Sequence, residues 1–145
     1  MDLTQQIRSG NVNKLTFSNP SGLYDPTPNA YSQLAVFPPG WRIILPAGQG
    51  GETEDQVLSA DFATQLRQAL ANTETVLAAA GATMSDVAKL NLLIVGFNED
   101  KFSVIRTEFD RVWGDQKPPL TLIPLPALAL KGMLVEIDVI AVTPA

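Results

Sequence analysis

Apolar and polar positions alternate most clearly near the C-terminus, in residues 118–142, PPLTLIPLPALALKGMLVEIDVIAV. Two apolar runs, 120–125 and 133–142, are rich in Val, Ile and Leu and short enough for strands. Successive strand side chains face opposite ways, so Met133, Val135, Ile137, Val139 and Ala141 share one face. Leu134, Glu136, Asp138, Ile140 and Val142 share the other. A strand apolar on both faces needs cover on both.

Residues 59–80 have helical spacing instead. Phe62, Leu66, Ala69, Leu70, Thr73, Val76, Leu77 and Ala80 fall on one stripe, with Ser59 or Asp61 to cap the start and Gly81 to close. Residues 87–96 (VAKLNLLIVG) then form a strand. Asn98 caps a second helix over 99–113, with Phe102, Ile105, Phe109, Val112 and Trp113 inward and Gly114 closing it.

The first third is less regular. Residues 1–12 are expected to fray, and 14–18 read as a short edge strand. A strand over 31–37 meets the turn Pro38-Pro39-Gly40 and returns as residues 41–47 (WRIILPA), its hairpin partner, until Pro46 stops the ladder. The order predicts one α+β domain over 1–145, a mixed sheet with two helices packed on one face. The apolar residues left on the other face call for a partner chain, most simply a closed symmetric ring of copies.

Composition narrows the chemistry. Without cysteine or histidine the chain cannot build a disulfide, a thiolate nucleophile, a Cys/His zinc site or a Ser-His-Asp triad. Proton transfer falls to Asp, Glu, Lys, Tyr, backbone groups or water. A net charge of −5 and no Lys/Arg cluster oppose nucleic-acid binding. With neither a basic, apolar leader nor a run of about 20 apolar residues, a cytoplasmic protein with no membrane contact is expected. Gly48, Gly50 and Gly51 match no phosphate-loop spacing and read as a turn, and Glu52, Glu54 and Asp55 read as surface. No cofactor and no metal are expected.

Several pieces carry a resemblance: Tyr31-Ser32 opening a strand, Ala47-Gly48-Gln49, QALANTETVLAAAGATMSDVAKLNLLI (68–94), the Pro118-Pro119 pair and GMLVEIDVIAV (132–142). In this order they make the chain resemble the Rid family of reactive-intermediate deaminases, also called YjgF/YER057c/UK114 and labelled endoribonuclease L-PSP. The resemblance implies a chorismate-mutase-like fold assembled as a homotrimer, with small-molecule clefts between subunits. It also implies cofactor-free hydrolysis of enamine and imine intermediates to carbonyl compounds and ammonia. In the family an arginine in the last-but-one strand grips the substrate carboxylate, and a glutamate in the final strand is thought to position the attacking water.

The glutamate corresponds to Glu136. The arginine does not recur: Leu120 stands in its place, Leu122 replaces a cysteine or threonine, and Ala47 replaces a serine before Gly48. All three changes make the cleft more apolar. Tyr31 is placed either to donate into the cleft or to complete core packing. Arg106, within the apolar stripe of the second helix, is either a substitute cation or a packed stem with its head in water. Two functions follow: a hydrolase altered in substrate, with Glu136 catalytic and Tyr31, Ala47, Gly48, Arg106, Leu120 and Leu122 lining the site, or a non-catalytic trimer that binds a metabolite.

Overall fold

The computed structural model describes residues 1–145. Its elements are α1 (Leu3–Ser9), β1 (Thr16–Ser18), β2 (Leu34–Val36), β3 (Arg42–Ile44), β4 (Gln49–Gly50), α2 (Phe62–Ala78), β5 (Val87–Val95), α3 (Glu99–Trp113), β6 (Leu120–Leu125) and β7 (Val135–Thr143). No helix is long and apolar enough to cross a membrane.

The most apolar strand takes the centre of the sheet. β7 pairs antiparallel with β5 on one side and with both β3 and β4 on the other, and β6 adds in parallel to β5. Connecting two parallel strands requires a crossover, which α3 supplies. Val135, Ile137, Val139 and Ala141 are buried on one face, as the alternation predicts, together with Leu90, Leu92 and Ile94 of β5. Against them pack Leu66, Ala69, Leu70 and Leu77 of α2 and Ile105, Phe109 and Trp113 of α3. Burying each such aliphatic side chain contributes about 1.5–3 kcal/mol. Val76 and Ala80, expected within the α2 stripe, are only half-buried, whereas Gln65 is fully enclosed.

Gln65 fastens the helix to the sheet. Its amide donates to the carbonyls of Ser59 and Gly132, at 2.6 and 2.8 Å, and its oxygen accepts from the Leu134 amide at 2.9 Å. A polar side chain wholly out of water is stable here because its hydrogen bonds are made.

Three local expectations need correction. Residues 31–37 and 41–47 do not pair with each other: β2 pairs with β1, while β3 runs against Ala141–Thr143 of β7. Two consecutive prolines offer no amide donors to a ladder closed by that turn, and Ile43 and Ile44 find apolar partners in Val142 and Ala141. The glycine segment is not a free turn, because β4 adds to the sheet beside Glu136 and Ile137. A Cβ on Gly51 would lie 2.5 Å from the Gln65 carbonyl oxygen, so close approach to α2 requires glycine there. At the N-terminus, where fraying is expected, Leu3–Ser9 is helical, opened by an Asp2/Gln5 capping box and closed by Gly10, but buries none of its residues.

The face of the sheet away from α2 and α3 is only partly covered within the chain. Phe37, Ile43, Leu45, Ile123 and Ile140 are exposed by 36%, 59%, 72%, 37% and 40%. Polar pairs cross its centre: Asn91 donates to Asp138 at 3.3 Å and Lys89 to Thr121 at 2.8 Å.

Candidate functional site

The sequence-predicted site residues fall into two groups on opposite faces of the sheet. Glu136 pairs with Leu93 on β5 and Gly50 on β4 and points to the open face. Gly48 sits against it, so closely that a Cβ there would overlap the Glu136 carboxyl group. A side chain at 48 would displace the Glu136 carboxyl group from this position, and Ala47 precedes Gly48 in the segment between β3 and β4.

Leu120 and Leu122 belong to the other face. The parallel register sets them opposite Leu90 and Leu92, and both pack on the core beneath the helices. Because β6 is an edge strand, they also line an open cavity of about 480 Å³, with Tyr31, Phe97, Phe102 and Glu99. Its lining is mainly apolar. Ala47, Gly48 and Glu136 do not line it.

Phe97 and Phe102 hold the cavity wall by a device legible in the sequence. Phe97 precedes the N-cap Asn98, whose side chain accepts from the Lys101 amide at 2.9 Å, and Phe102 follows one turn into α3. The rings meet edge to face with centroids 5.9 Å apart, a hydrophobic staple across the helix start. Arg106 lies one turn further on. Its guanidinium sits 4.4 Å from the Phe102 ring centroid and it is half-buried. It does not itself line the cavity.

Tyr31 reaches the cavity with its hydroxyl hydrogen-bonded to that of Tyr24, a partner absent from the sequence reading. Desolvation above all, then the hydrogen bond and charge of Tyr24, push the Tyr31 phenol from 10.0 up to about 12. Tyr31 thus stays a neutral donor far above physiological pH. Its contribution to stability is present below pH 10 and lost as pH climbs through 12. In an absorbance titration Tyr31 is expected to ionise near pH 12, and Tyr24→Phe to move it down towards 10 while leaving the desolvation in place. Ionisation of Tyr31 at pH 10 in the unmodified chain would contradict this environment.

No group of three or more Asp, Glu, Cys or His converges in a way that could hold a metal. Asp138 is engaged with Asn91, and Arg42, exposed, donates to the Ala80 carbonyl at 3.0 Å. Trp113 is buried with its indole donating to the Met84 carbonyl at 2.7 Å, a packing role.

The family described as Endoribonuclease L-PSP matches residues 25–143. Among curated proteins the chain is similar to the mitochondrial protein mmf1 of Schizosaccharomyces pombe, 27% identical over 101 residues, covering 68% of this chain and 61% of that one. It is also similar to the RutC family protein PH0854 of Pyrococcus horikoshii, 29% identical over 86 residues, covering 59% of this chain and 66% of that one. The chain therefore spans less than two thirds of the length of either relative. Among solved structures it is similar to the Rid-family protein YyfB from Yersinia pestis, with 29% identity, a TM-score of 0.81, and coverage of 88% of this chain and 98% of that one. On the family match over most of its length and on the shared arrangement of strands and helices, the chain belongs to the Rid (YjgF/YER057c/UK114) family and has its chorismate-mutase-like α+β fold.

Proposed function

We propose that the protein is a homotrimeric, cofactor-independent imine hydrolase whose sites form between subunits, with a substrate range altered by Leu120. The observation that carries this reading is the division of the site. The Glu136–Gly48 group and the Tyr31–Leu120–Leu122 cavity lie on opposite faces of one sheet, and the face bearing Glu136 leaves Ile43, Leu45, Ile123 and Ile140 exposed around its polar pairs. Copies sealing that face would set the carboxylate of one subunit beside the cavity of the next.

The chemistry needs one water and one proton acceptor. Glu136 takes a proton from water as its oxygen bonds to the imine carbon. The C=N pair moves to nitrogen, which takes up a proton to give the carbinolamine. The carbinolamine then loses its hydroxyl proton as the C–N bond breaks and nitrogen gains a second proton. One of the two is the proton held by Glu136, so that ammonia leaves and the carbonyl product remains. Tyr31, neutral across this range, can donate to the developing nitrogen or oxygen.

Small amino-acid-derived imines lack their usual grip here. A charge-assisted bond to a carboxylate is worth roughly 1.5–3 kcal/mol, and Leu120 forms none. Ammonia release from freshly generated 2-iminopropanoate is expected to be slow, and Leu120→Arg to raise kcat/KM by about ten- to a hundredfold. Fast turnover by the unmodified protein, or no gain in the variant, would overturn the role given to Leu120.

A further inference from the structure

The cavity beside Leu120 and Leu122 carries charge of one sign only. Glu99 is the single ionic side chain in its lining, and no Lys or Arg reaches it. None of the chain's ion pairs engages Glu99. An acid in the first turn of a helix gains from the helix dipole wherever it points. Asp100 meets that need equally, yet of the two only Glu99 lines the cavity.

Aromatic walls stand next to this carboxylate. Phe102 is three residues further on and so shares its side of α3, and Phe97 meets Phe102 edge to face. Ring faces attract an organic cation, and a carboxylate accepts its N–H groups. Asn29 lines the same cavity with an amide oxygen as a further acceptor, while Leu120 and Leu122 suit an alkyl group. The nearest cation is Arg106, whose guanidinium rests 4.4 Å from the Phe102 ring centroid. It is seven residues from Glu99, roughly 10 Å along the helix axis, and lies outside the lining. That face of α3 is thus negative where it meets the cavity and positive beyond it.

We infer that the cavity takes primary iminium ions whose carbon bears an apolar group and no carboxylate, and that Glu99 selects their charge. This rests on the reading of the cavity as one half of an imine-hydrolase site. A primary iminium ion brings one of the two protons that nitrogen needs. Water oxygen bonds to its carbon as Glu136 takes the water proton, and the C=N pair moves to nitrogen to give the carbinolamine. Nitrogen then gains the proton from Glu136, the C–N bond breaks and the hydroxyl proton passes to solvent, leaving an aldehyde and ammonia. Such ions form by two-electron oxidation of primary amines, so the reaction would follow an amine-oxidising step.

Equilibrium binding tests the charge preference without requiring turnover. The probes share one branched alkyl group: 3-methylbutylammonium, neutral 4-methyl-2-pentanone and anionic 4-methylpentanoate. The unmodified protein is expected to bind the ammonium about three- to thirtyfold more tightly than the ketone, with the carboxylate weakest. Glu99→Gln is expected to erase the preference for ammonium over ketone. Ketone binding and the thermal midpoint stay in place, because Asn98 and Asp100 still serve the helix start. Glu99→Lys is expected to invert the order, so that the carboxylate binds best. Equal binding of the three probes, tightest binding of the carboxylate, or an unchanged order in Glu99→Gln would overturn the inference. Ammonia release is read separately, from the imine of 3-methylbutanal and from 4-methyl-2-iminopentanoate, with the first expected to react faster. Cation-selective binding without ammonia release from either upholds the role of Glu99 and removes the hydrolase reading; ammonia release without cation-selective binding does the reverse.

Discussion

Ile140→Asp is expected to convert the proposed homotrimer into single chains, read as a fall to one-third of the molecular mass in sedimentation or light scattering. Ile140 points away from α2 and α3, alongside Ile43, Leu45 and Phe37, and all four are exposed in the single chain. A closed ring that seals this face would bury one new carboxylate per subunit, whose cross-strand neighbour Lys89 already donates to Thr121. Stranding a charge in an apolar interface costs about 3–5 kcal/mol, and a three-fold ring incurs it at every seam. A micromolar assembly would then dissociate throughout the concentration range of ordinary measurement. The monomer itself tolerates the change, because position 140 is opposite Lys89 on the outer face and takes no part in the helix-covered core. A variant with native circular dichroism and the mass of one chain supports the sealed face. One that keeps the mass of the unmodified assembly places the subunit contact elsewhere, and with it the whole site.

The period-two alternation of residues 133–142 carried most of what was legible. It separated the side chains that face the helices from those that do not, and the structure buries Val135, Ile137, Val139 and Ala141 as that alternation requires. Helix stripes were nearly as informative, because 3.6-residue spacing and caps are local. What could not be read locally is what depends on register and closure. The partners of β2 and β3 differ from the nearest in sequence because β3 gains more from Val142 and Ala141 than from a neighbour beyond two prolines. The opposition of Leu122 to Glu136 across the sheet follows only once β6 is known to run parallel to β5 with Leu92 beside Leu122. Gln65 and Glu108 were passed over because polar residues in an amphipathic helix default to the wet side. Their burial depends on acceptors and donors brought from sequence positions 41–69 residues distant, at Gly132, Leu134, and, for Glu108, Arg67. The Phe97–Phe102 staple brackets the N-cap at Asn98, so one wall of the cavity follows from local spacing alone.

Glu136→Gln is expected to lower kcat for ammonia release by about 10²–10⁴-fold with little change in KM, on whichever imine the unmodified protein hydrolyses. The substitution is close to isosteric, so it fits the space above Gly48 that the carboxyl group occupies. It preserves the capacity to hydrogen-bond a water but removes the ability to take its proton. Strand pairing through Leu93 and Gly50 is made by backbone groups and is indifferent to the change. Binding of the carbonyl product of that imine is therefore expected to persist. These readouts separate two ways in which the substitution can silence the protein. Lost turnover with retained binding and an unchanged assembly mass assigns the proton transfer to Glu136. Lost turnover together with a lower mass means that the carboxylate acts by holding subunits together, and unchanged turnover means that some other group accepts the proton.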